Sequence, residues 1–463
     1  MPRPGKTAGP VHDLIFLGFL GALFAAGLRR PFLLVLVYVY IDIVSPQRLT
    51  YYLLNSVPIS LIAVAAAVGG FLLADKKADV RVAPRQILIV VLLCYCGLTT
   101  MAADFPVEAA DKWAWVWKAL AFAAFLPLTL RTKLRIEALL LFMVLSAATI
   151  IIVGGIKTAL GGGGYGSLDL MVNNNSGLYE GSTISAVAIA IIPLILWFMK
   201  YGTIFPPDWR VKSFCLALAG ACLLIPIGTS TRTGLLCIGL LGLLFFRETK
   251  RKALYIALVV AAGIVAVPFL PSTFTQRMDT IQGYQADESA STRLAVWKWT
   301  IGYAQGHPFG GGFNAYLGNH IRYEIVRNGP GGGTEHETVD EARAYHSAYF
   351  EMLGEQGYPG LALWLLISII GLLRMEKLRR RFADPASDYA WAGALASALQ
   401  AAHLIYLLGA AFIAIAFQPF IYMLIGAQIG LDTYVARRTG GVGVPSFRRR
   451  RPDALADPLP DAP

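Results

Sequence analysis

The sequence predicts an all-α polytopic membrane protein. Its 463 residues are 56% hydrophobic and only 15% charged, and the mean hydropathy of +0.57 lies well above that of soluble globular domains. Apolar runs recur along the whole chain, and most of them approach the ~20 residues that a helix needs to cross ~30 Å of hydrocarbon. Short basic loops separate these runs, as expected of a chain that crosses a membrane many times.

About thirteen apolar segments qualify as membrane helices by length and composition. They cover residues 13–28, 32–44, 57–74, 86–102, 114–130, 136–155, 182–200, 213–229, 233–246, 253–270, 359–373, 388–409 and 411–433. The first two are predicted to contribute one net crossing, because LRRPF interrupts them and the second is short. We therefore expect about twelve transmembrane helices, with both termini in the cytoplasm.

The basic residues are concentrated in short loops and in the C-terminal tail. The loops contain RTKLR (131–135), RETKRK (247–252) and RMEKLRRRF (374–382), and the tail contains FRRRR (447–451). This is the positive-inside pattern, which marks these segments as cytoplasmic. The formal net charge of +11 is thus explained by membrane topology, and nucleic acid is not expected as a partner.

The predicted topology divides the chain into four parts. Residues 1–270 form the first transmembrane helices, 271–345 a large periplasmic loop, 346–435 the C-terminal transmembrane helices, and 436–463 a disordered basic cytoplasmic tail. A loop of this length should contain structure of its own, here short amphipathic helices. Its glycine-rich, acidic stretch GPGGGTEHETVDEA (329–342) is predicted to be a mobile flap.

The cysteine and histidine residues do not show the spacing of a metal site. The five cysteines lie in or beside apolar runs, where thiols behave as small hydrophobic groups. They are Cys94, Cys96, Cys215, Cys222 and Cys237. No carboxylate pair of the DxD type is present either, so the sequence favours chemistry without a metal or another cofactor, and no disulfide.

Arg232, in the stretch GTSTRTGLL, is the first candidate for chemistry. An arginine between two apolar runs is costly and usually faces a cavity or a partner. Ser230 or Thr231 can cap the following helix, whose free N–H groups favour an anion, so the stretch is a candidate phosphate site. The alternative is an arginine that reaches out to lipid phosphates at the membrane interface.

Arg293 is the second candidate, near the start of a predicted loop helix in DESASTRLAVWKWTIGYAQG. A guanidinium group binds phosphate through two parallel hydrogen bonds, and Trp297 and Lys298 follow it closely. The alternative is a solvated loop arginine. Trp297 and Trp299 suit a helix resting at the lipid headgroups. The glycine cluster in GHPFGGGFNAY (306–316) is a candidate anion-binding concavity.

His346, in EARAYHSAYFEMLG, is the third candidate. If a helix begins near Ala344, then Arg343, His346 and Tyr349 fall on one face of that helix. An imidazole with an ordinary pKa can accept a proton at neutral pH, which is what a general base must do. The alternative is a structural or capping histidine at a helix start.

Three stretches together resemble the O-antigen ligase and polymerase superfamily of bacterial envelopes. They are STRTGLL, STRLAVWKWTIGYAQGHPFGGGFNAY and AYHSAYFEMLGEQGYPGLALWLL. The last is the most specific, because it combines a histidine, an aromatic residue and a Glu-x-Gly-x-x-Gly pattern leading into a membrane helix. The resemblance is strongest from residue 228 to residue 366, and the N-terminal half matches only as a multi-span region.

The resemblance implies a GT-C-like glycosyltransferase that uses a lipid-linked donor and neither nucleotide sugar nor metal. A ligase of this kind transfers a finished polysaccharide from undecaprenyl diphosphate to the lipid A-core oligosaccharide, on the periplasmic side of the inner membrane. Attack opposite the leaving group would invert the anomeric centre. The expected partners are therefore this donor, the lipid A-core acceptor and membrane lipids.

The resemblance also implies residue roles. Arg232 and Arg293 match arginines expected to hold the donor diphosphate, and His346 matches a histidine expected to activate the acceptor hydroxyl. Tyr345-His346-Ser347 departs from the Ala-His-Asn of many relatives, which affects neighbouring contacts more than the base itself. Further candidate substrate contacts are Arg343, Tyr349, Trp297 and Lys298.

Three alternative functions remain open from the sequence. A polymerase of the same superfamily would use two copies of the lipid-linked donor, and a related ligase would glycosylate a protein or an exopolysaccharide. A transporter or flippase could bind an anionic substrate at Arg232 in a central cavity. Transporters usually contain internal repeats with helices broken at the midplane, and no repeat is evident here.

Overall fold

The computed structural model describes residues 8–50, 57–75, 77, 80–161, 178–254, 256–257, 260–261, 288–329 and 332–440. The helices are α1 (Ala8–Arg29), α2 (Phe32–Val44), α3 (Pro46–Leu49), α4 (Ile59–Ala74), α5 (Pro84–Met101), α6 (Pro106–Thr129), α7 (Lys133–Gly161), α8 (Gly181–Tyr201), α9 (Trp209–Gly228), α10 (Arg232–Glu248), α11 (Glu288–Gly306), α12 (Ala348–Arg381), α13 (Ala390–Ala410) and α14 (Pro419–Arg438). A 3₁₀ turn (Ala315–Gly318) and strands β1 (His320–Gly329) and β2 (Gly332–Glu341) lie between α11 and α12.

The structure confirms the predicted all-α polytopic membrane fold. Among the described residues, six helices are long and apolar enough to cross a membrane, namely α5, α7, α8, α9, α12 and α13. The helices α2 and α4 are apolar but shorter. The predicted segment 253–270 lies mostly outside the described residues.

Helices α8 and α14 form the centre of the bundle. In α8, almost every side chain from Thr183 to Phe198 is buried, and α14 is buried over most of its length. A helix that is apolar on all sides must be surrounded by other helices or lipid. Helix α8 packs against α9, α10 and α13, and α14 packs against α6, α13 and α12.

The final predicted span, 411–433, begins too early. Residues 411–418 are not helical, and α14 begins at Pro419 and runs to Arg438. Proline is favoured in the first turn of a helix because its missing N–H has no helical partner there. The non-helical residues before it therefore contribute backbone groups to the end of the bundle.

The loop between α10 and α12 contains a β-hairpin that the sequence analysis did not predict. Strands β1 and β2 pair antiparallel, from His320 opposite Glu341 to Gly329 opposite Gly332. Most of the stretch predicted as an irregular flap is thus the second strand of a hairpin. Helix α11 packs against β1 and α12, so the loop is folded onto one end of the helix bundle. We call this end of the bundle the loop face.

Helix α12 is kinked at Gly357, whose φ of 62° and ψ of −166° are not helical. The glycine turn after α11 packs into this kink. A Cβ atom at Gly357 would lie 2.3 Å from the carbonyl oxygen of Pro308, and one at Gly310 would lie 2.4 Å from the carbonyl oxygen of Glu355. Glycine is required at both positions because a side chain would separate the two segments.

The same glycine turn does not form the predicted anion-binding concavity. The N–H groups of Gly311 and Gly312 donate to the carbonyl oxygens of Gly354 and Glu355, at 3.1 and 3.0 Å. The N–H of Asn314 donates to the carboxylate of Glu355 at 3.0 Å. These donors are used inside the protein, where they fix α12 to the loop.

Candidate functional site

His346 lies in the short segment that joins β2 to α12. Helix α12 begins at Ala348 with Ser347 at its N-cap, and His346 has a left-handed φ of 50°. The predicted helix start near Ala344 is therefore wrong, and Arg343, His346 and Tyr349 do not share a helical face. A non-glycine residue with positive φ is uncommon, and such conformations concentrate at functional sites.

Charged groups surround the His346 imidazole, whose side chain is exposed to solvent. Desolvation by the surrounding protein lowers its pKa, and the positive charges of Arg293 and Arg343 lower it further. Glu180 acts in the opposite direction. The imidazole is therefore neutral at pH 7, and it has no hydrogen-bond partner among the described residues. It is available to accept a proton.

Arg232 is the first residue of α10, and the preceding turn packs against the start of α8. Thr231 occupies the N-cap position but makes no capping bond with its side chain. Its hydroxyl donates to Ser185 Oγ at 2.9 Å, so Thr231 does not provide the predicted side-chain cap. The N-terminus of a helix favours an anion, so the start of α10 adds to the positive potential around Arg232.

The N-terminus of α8 connects the two halves of the site. Glu180 caps α8 by accepting from the N–H groups of Ser182 and Thr183, at 3.1 and 2.7 Å. It also interacts electrostatically with His346, while its neighbour Gly181 faces the turn that leads to Arg232. The structure therefore brings Arg232, Arg293 and His346 to the same loop face.

Helix α11 holds the His346 segment in place through Trp297. The indole N–H of Trp297 donates to the carbonyl oxygen of Tyr345 at 2.9 Å. Its ring stacks on Phe350 with 4.9 Å between centroids and 8° between planes. The ring thus packs inside the protein and not at the lipid headgroups. Arg293, one turn earlier in α11, is carried to His346 by the same packing.

The remaining candidate contacts are Lys298, Arg343 and Tyr349. Lys298 is exposed on α11. Arg343 forms an ion pair with Asp340 at 2.7 Å. The Tyr349 hydroxyl donates to the carbonyl oxygen of Leu407 in α13 at 3.1 Å, which uses this group in a helix–helix contact.

A buried charge cluster, which the sequence analysis did not find, lies beside the His346 segment. Lys112 Nζ lies 2.7 Å from Glu351 Oε1 and 2.8 Å from both carboxylate oxygens of Glu355. The N–H of Ala416 donates to Glu351 at 2.9 Å. Glu355 belongs to the Glu-x-Gly-x-x-Gly pattern, which was the only sequence signal for this cluster.

The described residues include no group of three His, Cys, Asp or Glu side chains arranged to hold a metal ion. All five cysteines are free thiols, and four of them are buried. The groups gathered at the loop face are instead two arginines, a neutral imidazole and the N-terminus of α10. This set can bind an anion and accept a proton.

The fold and this site define a multi-pass membrane protein with a polar site at one end of its helix bundle. Residues 216–365 match the family model described as O-Antigen ligase, and residues 11–203 match a family of unknown function (DUF5935). The O-Antigen ligase match contains all three predicted site residues and supports assignment of the chain to that family. The same match supports a ligase- or polymerase-type function. No curated protein matches the chain.

Proposed function

We propose that this protein is an O-antigen ligase. It transfers a polysaccharide from undecaprenyl diphosphate to the lipid A-core oligosaccharide, in lipopolysaccharide biosynthesis. The family match supports a lipid-linked glycan as substrate. The identity of the carrier and of the acceptor is our proposal.

One observation carries the proposal: a neutral imidazole stands beside cationic groups at one face of a membrane protein. Arg293 is close enough to lower the pKa of His346, and Arg232 opens α10 at the same face. A diphosphate needs positive charge and N–H donors, while a sugar hydroxyl needs a base. Both requirements are met at the loop face.

The proposed reaction needs one proton transfer and one substitution at carbon. His346 accepts the proton of the acceptor hydroxyl, and the oxygen attacks the anomeric carbon of the donor. The bond from that carbon to the diphosphate oxygen breaks, and the diphosphate leaves with the electron pair. Arg232, Arg293 and the α10 N-terminus stabilise the charge that develops on it. Attack from the opposite side inverts the anomeric centre.

We place the enzyme in the bacterial inner membrane, with the loop face in the periplasm and both termini in the cytoplasm. The basic loops 131–135, 247–252 and 374–382 lie at the C-terminal ends of α6, α10 and α12. Helices α10 and α12 begin at the loop face, so their basic ends lie on the opposite side of the membrane, which the positive-inside rule identifies as the cytoplasm. The lipid carrier can then remain in the membrane while its diphosphate reaches the loop face.

Reconstitution tests the proposal directly. The purified full chain is placed in liposomes with undecaprenyl-diphosphate-linked polysaccharide and lipid A-core, without divalent metal. We expect ligated lipopolysaccharide from the wild-type protein in the presence of a chelator. The absence of product with every lipid-diphosphate donor tried would reject the proposed function.

The envelope glycan of a deletion strain separates the ligase from its nearest alternative. Unligated lipid A-core together with accumulated lipid-linked polysaccharide indicates a ligase. Short glycan chains on the core indicate a polymerase. If the lipid A-core still carries its polysaccharide but a protein or an exopolysaccharide has lost its glycan, the enzyme is a ligase with another acceptor.

A further inference from the structure

A cavity of about 460 Å³ lies at the loop face beside the segment that carries His346. Ala344 and Tyr345, the two residues before His346, form part of its wall. The volume falls in the range of small-molecule binding sites, roughly 300–1,000 Å³. None of the residues assigned above to the diphosphate lines it.

The buried charge cluster forms part of the cavity wall. Glu351 and Glu355 are 4% and 0% exposed, and Lys112 binds both. The N–H groups of Asn314 and Ala416 fix the two carboxylates from other segments of the chain. Buried charges are costly unless they are paired, so the hydrogen-bonding groups of this cavity are held in a defined geometry.

The sign of the charge around the cavity differs from that around the diphosphate candidates. Two glutamates oppose one lysine, and Asp111 adds another carboxylate to the lining. Arg293 and Arg343 act on His346 and do not line the cavity. A phosphate is therefore favoured on the arginine side and repelled from the cavity.

The lining also offers the apolar surfaces that a sugar ring requires. Trp115 and Tyr316 line the cavity together with Asp111 and Asn314. Aromatic rings pack against the C–H faces of a sugar, while carboxylates accept hydrogen bonds from its hydroxyl groups. Trp115 lies one helical turn after Asp111 on α6, so both are presented on the same side of that helix.

We infer that this cavity is the subsite for the acceptor sugar. Its expected occupant is an uncharged sugar or an amino sugar, whose hydroxyl group is directed toward His346. The inference rests on the proposed function, because it gives the imidazole the hydroxyl from which it removes a proton. It separates the two substrates by charge, with the diphosphate beside the arginines and the acceptor over the carboxylates.

The test uses two substitutions in the cavity and a matched control for each. Trp115→Ala and Asp111→Asn remove a stacking ring and an acceptor charge without touching the Lys112 cluster. Trp209→Ala and Glu108→Gln remove an exposed tryptophan and an exposed carboxylate that do not line the cavity. Trp115→Phe retains a stacking surface and should restore most of the lost function.

In steady-state transfer assays, we expect the KM for the acceptor to rise at least tenfold in Trp115→Ala and Asp111→Asn. The KM for the lipid-linked donor should stay within about twofold, and both control variants should behave like the wild type. An unchanged acceptor KM in both cavity variants, or an equal rise in the donor KM, would overturn the inference.

Direct binding distinguishes failure of this inference from failure of the proposed function. Saturation-transfer NMR is recorded on the full chain in detergent, with delipidated core oligosaccharide and with the free donor repeat unit as probes. We expect a signal from at least one saccharide that Trp115→Ala abolishes and inorganic pyrophosphate leaves unchanged. Binding of this kind without transfer rejects the ligase proposal and retains a saccharide site. Displacement by pyrophosphate, or binding of neither saccharide, rejects the cavity.

Discussion

The geometry of His346 shows how the local chain makes a surface imidazole suitable as a base. The residue has a left-handed backbone and precedes the helix, so its ring is not packed into α12. Desolvation lowers the pKa of the imidazole, Arg293 and Arg343 lower it further, and Glu180 opposes them. The neutral form is the one that can remove a proton from a hydroxyl group.

The acidic limb of the pH–rate profile should report this balance of charges. Glu180→Gln removes a group that raises the pKa of His346. The imidazole then stays neutral to a lower pH, and the acidic limb shifts to lower pH. Arg343→Gln removes a group that lowers this pKa, so the acidic limb shifts to higher pH. Profiles of kcat/KM for the two variants measure both shifts. If both move in the same direction, His346 is not the titrating base.

At this scale the sequence predicted the candidate site residues but not the partners that folding gives them. Arg232, Arg293 and His346 stand in motifs, so each could be selected from its neighbours in the chain. The cluster of Lys112 with Glu351 could not, because the two residues are 239 positions apart and meet only after folding. The positive φ of His346 is likewise a property of the folded turn.

Helix α11 positions two parts of the site at once, because it carries Arg293 and packs against the segment that contains His346. Val296 on α11, Ile321 on β1 and Tyr345 form a small buried cluster. The bond from Trp297 to Tyr345 completes the connection. Displacement of α11 would therefore move an arginine and the imidazole together.

Trp297→Phe should lower kcat while the donor affinity is maintained. The phenyl ring preserves the stacking on Phe350 but loses the hydrogen bond to Tyr345, which is worth about 1 kcal/mol and hence roughly fivefold in rate. Trp299→Phe is the control, because Trp299 stacks on Tyr303 and does not bond to the His346 segment. Equal kinetics for the two variants would show that Trp297 does not position the imidazole.

The need for glycine at the kink in α12 can be tested by measuring the stability of a variant. Gly357→Ala places a methyl group 2.3 Å from the Pro308 carbonyl oxygen on a backbone with φ of 62°. We expect the free energy of unfolding to fall by about 1–3 kcal/mol, seen as a lower Tm. Gly302→Ala on α11 has open space around it and should leave the Tm unchanged or slightly higher. A wild-type Tm in Gly357→Ala would mean that the kink tolerates a side chain.

The elements that sequence reasoning missed have a common physical cause. The second strand of the hairpin is rich in glycine and charged residues and lacks the alternating apolar pattern that identifies a strand, so the short alternation at Ile321, Tyr323 and Ile325 had no recognisable partner. The kink at Gly357 lies inside an otherwise continuous helix. Its conformation is fixed by the glycine turn at 308–312, which packs against it from another part of the chain.

At the scale of the whole molecule, hydropathy was sufficient to predict the class of fold. The apolar runs became helices because a lipid environment leaves backbone N–H and C=O groups no other partners. The helix ends shifted where proline or glycine intervened, as at Pro419. The match of residues 216–365 to the O-antigen ligase family agrees with the motifs that suggested it.

The proposed orientation predicts opposite locations for the hairpin and the tail. Alkaline phosphatase inserted between β1 and β2 should be active, because that enzyme requires the periplasm. Green fluorescent protein fused after Arg438 should fluoresce, because it matures in the cytoplasm. An inactive phosphatase in the hairpin together with a dark C-terminal fusion would reverse the orientation and remove the site from the periplasm.

The central claim is that binding of the diphosphate and removal of the proton belong to different side chains of one site. The most direct measurement compares donor affinity with single-turnover transfer in the reconstituted protein carrying His346→Ala, Arg232→Gln or Arg293→Gln. The histidine variant should lose about 10²–10⁴-fold in rate and keep its donor Kd. Each arginine variant should weaken the Kd at least tenfold. Near wild-type transfer by His346→Ala, or unchanged donor binding in both arginine variants, would contradict the account.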